Sequence, residues 1–270
     1  MWIRCLIVVA ILSLSGCASL WSTQERGSSS SLVDFLYPDG NAREQQAATP
    51  AHLQLPLRVG LAFVPPNRHR GPLSAGERQQ LLEQVAQRFR PRAFIDHIEI
   101  IPQHYLREPG FDTLRQIGRL HRLDVMALVS HDQLVAREDK ELSLFYWTIV
   151  GAYVVPGTKN RVNTFVDTTV FDLHSGALLF RAPGVDHDDE RSTAVESGGV
   201  GRKLSRQSFT RAVDNMTTAL DHELDGFVAQ VKSGKSNVAV AFRPGYGGSG
   251  NFLWGLIIML ASAFIISRRD

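Results

Sequence analysis

Cysteine is almost missing from this chain: 270 residues hold two, Cys5 and Cys17. Cys5 lies inside an apolar leader that export would remove. One thiol at most then remains, no intrachain disulfide can form, and ordinary core packing has to hold the fold. A surplus of charge is missing as well. Of 29 Lys and Arg, three (Arg4, Arg268, Arg269) lie in the terminal segments, and of 27 Asp and Glu one (Asp270) does, so the body is neutral. A nucleic-acid-binding domain carries a basic stripe and a positive balance, and no nucleic-acid partner is expected.

Catalytic signatures are lacking too. There is no GxSxG elbow, no P-loop, no GxGxxG after a strand and no HExxH or HxxxH histidine pair. The run Asp186-His187-Asp188-Asp189-Glu190 offers hard oxygen ligands beside an imidazole, but adjacent residues seldom converge on one ion, and a solvated acidic loop over Asp186 to Gly201 is expected instead. His97 and His104 flank a strand and its proline stop, which suits surface or core-edge positions. Gly198-Gly199-Val200-Gly201 reads as a hinge. No cofactor, metal or enzymatic activity is expected. The alternative is a periplasmic or surface hydrolase whose site gathers residues distant in sequence, with His121, His131, Asp132, His174 and Asp186 as candidates.

The termini carry the clearest signals. Met1 to Gly16 has a short positive start with Arg4, then the apolar run Leu6 to Leu12, which is too short to span a bilayer core of about 30 Å. Leu14-Ser15-Gly16-Cys17 follows: small residues that a peptidase can take in extended form, then a thiol suited to acylation. At the other end GYGGSG precedes an apolar stretch, Phe252 to Ile266, and then Ser267-Arg268-Arg269-Asp270. That stretch is marginal for spanning, and its basic end would stay cytoplasmic by the positive-inside rule. Export through the leader puts the body outside, so the two ends agree on topology.

Leu14 to Cys17 resembles a lipobox. Gly247-Gly248, the apolar stretch and Arg268-Arg269 resemble the Gly-Gly sorting signal read by rhombosortases, intramembrane serine proteases of the rhomboid type. Together with Ser29-Ser30-Ser31-Leu32-Val33-Asp34-Phe35-Leu36-Tyr37-Pro38 they resemble the rhombotarget lipoprotein family. The resemblance implies cleavage between Gly16 and Cys17 by the lipoprotein signal peptidase and acylation of Cys17. It also implies tail processing near Gly247 and Gly248, with an inner-membrane precursor. Ala18, where an Asp would resemble an inner-membrane retention signal, favours the outer membrane or cell surface. The body would then act as a non-enzymatic binding or assembly module with an envelope protein partner.

Between the ends, 17–55 is Ser-, Gln- and Ala-rich and reads as a flexible tether, with Leu32 to Tyr37 as a short docking segment. The globular domain is expected over 56–243, and a Gly-rich linker with the sorting tail over 244–270. Leu57 to Val64 reads as a strand. Ser74 and Glu77 form a capping-box pair ahead of a helix with Leu81, Leu82, Val85 and Phe89 inward. Ile95 to Ile101 is a second strand, Phe111 to Arg122 a helix with Leu114, Ile117 and Leu120 inward, and Asp124 to Val129 a third strand. Glu141 to Val155 reads as a long strand. Arg161 to Leu173 alternates Val162, Thr164, Val166, Thr168 and Val170 on one face with Phe165, Thr169, Phe171 and Leu173 on the other. His174-Ser175-Gly176 is a turn, Ala177 to Phe180 a short strand, and Leu204 to Lys232 a long helix. This is an α+β pattern: an αβ sandwich with a mixed sheet of five to six strands, two shorter helices and a long final one. Gln116 to Val129 and Phe171 to Leu179 resemble the αβ sandwich of the curli-secretion lipoprotein domain and of the amino-terminal domain of the Tol-system propeller protein. That implies a fold and leaves function open.

Overall fold

The computed structural model describes residues 23–38, 50–66, 73–139, 156–244 and 246. The strands are β1 Thr23–Ser30, β2 Ala51–Leu55, β3 Leu57–Phe63, β4 Ile95–Ile100, β5 Val125–Asp139, β6 Thr158–Asp172, β7 Leu178–Ser192 and β8 Val238–Phe242. The helices are α1 Leu32–Leu36, α2 Ala75–Phe89, α3 Phe111–His121 and α4 Ser197–Lys232, with a 3-10 turn at Gln103–Leu106. The expected α+β sandwich with a long final helix is the fold.

The main sheet runs β4-β3-β5-β6-β7. β3 is parallel to β4 and β5, because α2 and α3 carry the chain back over the sheet between them. β5, β6 and β7 pair antiparallel. β5 is long enough to offer one edge twice: its start pairs with β3, and its far half, His131 to Glu138, pairs antiparallel with β1. β2 and β8 make a separate parallel pair.

Two apolar clusters face opposite sides of the sheet. On one side Leu61, Phe63, Val166 and Val170 pack under α2 (Leu82, Val85, Phe89) and α4 (Phe209, Val213, Met216). On the other, Met126, Leu128 and Phe171 pack under α1 (Phe35, Leu36), the 3-10 turn and α3 (Leu114, Ile117). The faces read for β6 hold. Val162 to Val170 lie buried under α4, while Phe171 and Leu173 belong to the second cluster. Phe165 stays 38% exposed, because no helix among the described residues covers that part of the second face. The capping box forms, with Ser74 N–H donating to Glu77 at 2.7 Å and Glu77 N–H to Ser74 Oγ at 3.3 Å.

Several expectations need correction. The stretch 17–55 is not all tether, since β1, α1 and β2 fall in it. The serine backbone of β1 completes a ladder with β5, Ser31 Oγ caps α1 by accepting from Asp34 N–H at 3.2 Å, and Phe35 and Leu36 dock as read. Leu120 points outward at 68% exposure. Gly118, one turn beyond Leu114, takes the inward place, where an added Cβ would come within 2.7 Å of Leu173 Cδ1. The acidic stretch is no loop: Asp186 to Ser192 complete β7, and α4 begins at Ser197. An edge strand tolerates such charge, because every second side chain reaches solvent or a partner on the neighbouring helix. The four residues 198–201 are no hinge either. They lie in α4, with Gly201 against the Asn160 side chain. β5 and β7 run well past Val129 and Phe180. The expected strand Glu141 to Val155, the leader, Cys17 and the tail Phe252 to Ile266 lie outside the described residues. No helix among the described residues is long and apolar enough to cross a membrane.

α4 is fixed on the sheet by a buried polar zipper as well as by its apolar stripe. Gln133 Nε2 donates to Thr164 Oγ1 (2.7 Å) and the Ser205 carbonyl (2.9 Å), its Oε1 accepts from Ser205 Oγ (2.5 Å), and Thr164 and Ser208 hydroxyls bond at 2.7 Å. These bonds satisfy Gln133, Thr164, Ser205 and Ser208 in a low-dielectric layer, which sets the helix in one register.

Candidate functional site: an arginine-lined cleft

At the end of the sheet where β5 starts and β6 stops, α3, β2, the β6–β7 turn and the residue after β8 enclose a cleft of about 960 Å³. Its lining combines Gly118, Leu123 and Leu173 with Arg58, Arg115, Arg119, Arg122 and Arg243, and with His52 and His174. Arg115, Arg119 and Arg122 share one face of α3 and its cap by their i, i+4, i+7 spacing.

Two carboxylates stand among these cations, and both are occupied. Asp124 accepts from the Arg58 backbone N–H at 2.8 Å and from Arg243 Nη2 at 2.7 and 2.8 Å. Asp172 accepts from the His52, His174 and Ser175 backbone N–H groups and from Ser175 Oγ at 2.5 Å, so it holds the turn together. The Arg58 guanidinium meets Asp96 at 3.1 Å, and that of Arg115 meets Asp112 at 3.2 Å and lies over Phe111. Arg119 and Arg122 have no acidic partner among the described residues, and Arg243 Nη1 is buried without a hydrogen bond. The cleft is therefore cationic inside a neutral body.

Arg122 is also conformationally expensive. It ends α3 in the left-handed region at φ 54°, the position that helices usually give to glycine, with Leu123 N–H closing on the Gly118 carbonyl at 2.7 Å. A side chain there costs roughly 1 kcal/mol. Such strain is retained where the side chain has work to do.

The hydrolase candidates are dispersed. His121 bonds Glu99 at 2.7 Å at the end of α3. Asp132 is exposed on the bare part of the sheet, opposite Phe165. His174 lines the cleft, and Asp186 lies on β7, held by Arg211 at 3.0 and 3.1 Å. His131 is only 5% exposed under α4, edge-on to Phe209, with Ser30 Oγ 3.0 Å from its Nδ1. These five form no common site. In the acidic run, Arg211 also pairs Asp188, His187 turns to Asn163 and Lys159 pairs Asp189 at 2.8 Å, so strand alternation sends the ligands apart. His97 is exposed on β4, and His104 stacks on Tyr105.

No protein-family model and no curated protein matches this chain. Among solved structures, a dodecameric PelC variant from Paraburkholderia phytofirmans is 11% identical, covering 71% of this chain and 97% of its own, with a TM-score of 0.25. A second PelC dodecamer from the same organism is 10% identical over 70% and 97%, with a TM-score of 0.23. At these values the functional reading has to come from the chain's own residues.

His131 makes a pH prediction. Burial, and secondarily the charge of Arg78, push its pKa down from 6.5 to about 4. Its folded pKa lies below the unfolded one, so the unfolded chain binds the extra proton between those values. Stability is full above pH 6.5 and falls as pH drops towards 4, by roughly 3 kcal/mol at about 1.4 kcal/mol per unit. Urea unfolding at pH 7 and pH 4.5 should show this fall, and His131→Leu should flatten most of it. An acid limb unchanged in the variant would assign the loss to other groups.

Proposed function

We propose that this chain is an envelope lipoprotein, acylated on Cys17 and trimmed near Gly247 and Gly248 by a rhombosortase-type protease, whose body is a non-enzymatic module that binds an anionic ligand in the arginine cleft. The observation that carries the binding reading is the unpaired cation pair Arg119 and Arg122 beside the buried, unpartnered Nη1 of Arg243. Guanidinium groups match phosphate and carboxylate oxygens in pairs, and their charge acts more strongly in a cleft than in open water. With Asp124 and Asp172 held by their own hydrogen bonds, the arginines are the groups left to meet an anion. Phosphate- or uronate-bearing envelope polymers fit this chemistry, as does an acidic face of an envelope protein partner.

The test uses Arg119→Glu combined with Arg122→Gly. The glycine relieves the left-handed strain, so a loss of binding cannot be put down to misfolding. Retention on immobilised polyphosphate and polygalacturonate should fall at least ten-fold, whereas Arg202→Glu, an exposed site on α4, should change it little. Equal weakening by Arg202→Glu would reduce the cleft to diffuse surface charge.

A further inference from the structure

We infer that the ligand of the cleft is a hydroxylated carboxylate, the uronic-acid unit of an acidic polysaccharide, in preference to a phosphate polymer or an acidic peptide; this rests on the anion-binding reading and names its ligand. A second set of groups in the cleft carries the inference. β2 alternates strictly, with Ala51 and Leu53 buried and His52 and Gln54 exposed. Two residues apart on a strand, His52 and Gln54 share one face about 7 Å apart, and both line the cleft. His174 joins them from the β6–β7 turn.

One carboxylate fixes both elements. Asp172 accepts from the His52 N–H at 3.2 Å and from the His174 N–H at 3.0 Å, so the two imidazoles leave neighbouring points of the backbone. Those bonds use backbone amides only. The side chains of His52, Gln54 and His174 make no hydrogen bond among the described residues.

These side chains differ in kind from the arginines beside them. A guanidinium only donates, whereas the amide of Gln54 carries an acceptor as well as its donors. A phosphate chain presents acceptors alone, and so do the carboxylates of an acidic peptide. Against either, the Gln54 carbonyl would lose water and gain no donor. A uronic acid supplies both halves: a carboxylate for Arg119 and Arg122, and ring hydroxyls that donate to and accept from β2 and the turn. A site that hydrogen-bonds a ligand hydroxyl discriminates strongly against analogues without it, because its own groups are then left unpaired. At about 960 Å³ the cleft stands at the top of the small-ligand range, with room for more than one sugar ring, which favours a polymer over a single sugar acid.

The experiment measures binding of the full chain, in a non-ionic detergent, to fluorescent oligogalacturonate, polyglutamate and polyphosphate of matched charge. Oligogalacturonate should bind about five-fold more tightly than either of the others, and should keep part of its affinity at a salt concentration that screens theirs away. Equal affinities on the natural chain would overturn the inference whatever any variant does. Gln54→Met keeps the size of an exposed side chain and removes its amide. It should weaken oligogalacturonate about five-fold, with polyphosphate binding and melting temperature nearly unchanged. Oligogalacturonate binding that ignored this change would also overturn the inference. Free galacturonate should compete far more weakly per carboxylate than the oligomer; equal competition would replace the polymer by a single sugar acid. Arg119→Glu with Arg122→Gly should release all three probes. Retention of all three by that variant would strike the binding reading, whereas loss of the preference alone strikes only the uronate.

Discussion

Gly184→Ala is expected to cost about 3 kcal/mol or more, the largest loss from a methyl group added at any of the described glycines. Gly184 sits on β7 where α4 crosses it. A Cβ there would fall within van der Waals contact of the Ala212 carbonyl oxygen and the Met216 backbone nitrogen, and would meet Met216 Cβ at 2.6 Å. The first two are helix backbone, so no rotamer change can relieve the clash; the helix must lift from the sheet along Phe209, Val213 and Met216. In a body of this size the melting temperature should drop by about 10 °C. Gly199→Ala is the control. Nothing lies within 4 Å of a Cβ there, and helix propensity favours alanine by up to about 1 kcal/mol. If the Gly184 variant melted with the natural chain, the close approach of α4 to β7 would be wrong.

Cys17→Ser should abolish lipid attachment outright. Serine cannot take the thioether-linked lipid, the leader would remain uncut, and labelling by a clickable fatty acid should vanish. Each buried methylene contributes roughly 0.8 kcal/mol to membrane binding, so losing two or three chains removes the lipid anchor rather than weakening it. Continued labelling of the variant would place the acylation elsewhere.

Legibility in the sequence follows the range of the forces involved. α2 could be read residue by residue because a capping box and an apolar stripe are local, and both formed as read. The faces of β6 were legible because alternation survives where a helix covers one side throughout. Leu120 was misread because an apolar residue near a stripe is not within it, and a glycine that admits Leu173 packs better than a leucine. The Asp186 run was read as loop because its charge hides the strand period. Only the neighbouring Arg211 and Lys159 show why a strand can carry it. The basic stripe of Arg115, Arg119 and Arg122 stands at helical spacing, but inside a net-neutral body such spacing does not set it apart from an ordinary solvated helix face. Arg58 and Arg243 carry no local sign of belonging with it.

By itself the sequence carries the proposed reading of the two ends, since the patterns it rests on, an apolar run before small residues and a cysteine, and a glycine–apolar–basic order, are local and need no fold. It determined the sandwich as well, because core-facing periods of 2 and 3.6 are written in each segment. Only the tertiary structure decided where the chain's charge is concentrated. The cleft is built from β3, α3, the β6–β7 turn and the residue after β8, which meet only after long loops have closed, and a pairwise meeting of that kind leaves no trace in local pattern. The same holds for β1, a serine-rich segment with little strand character, which becomes a strand because β5 offers it a vacant edge.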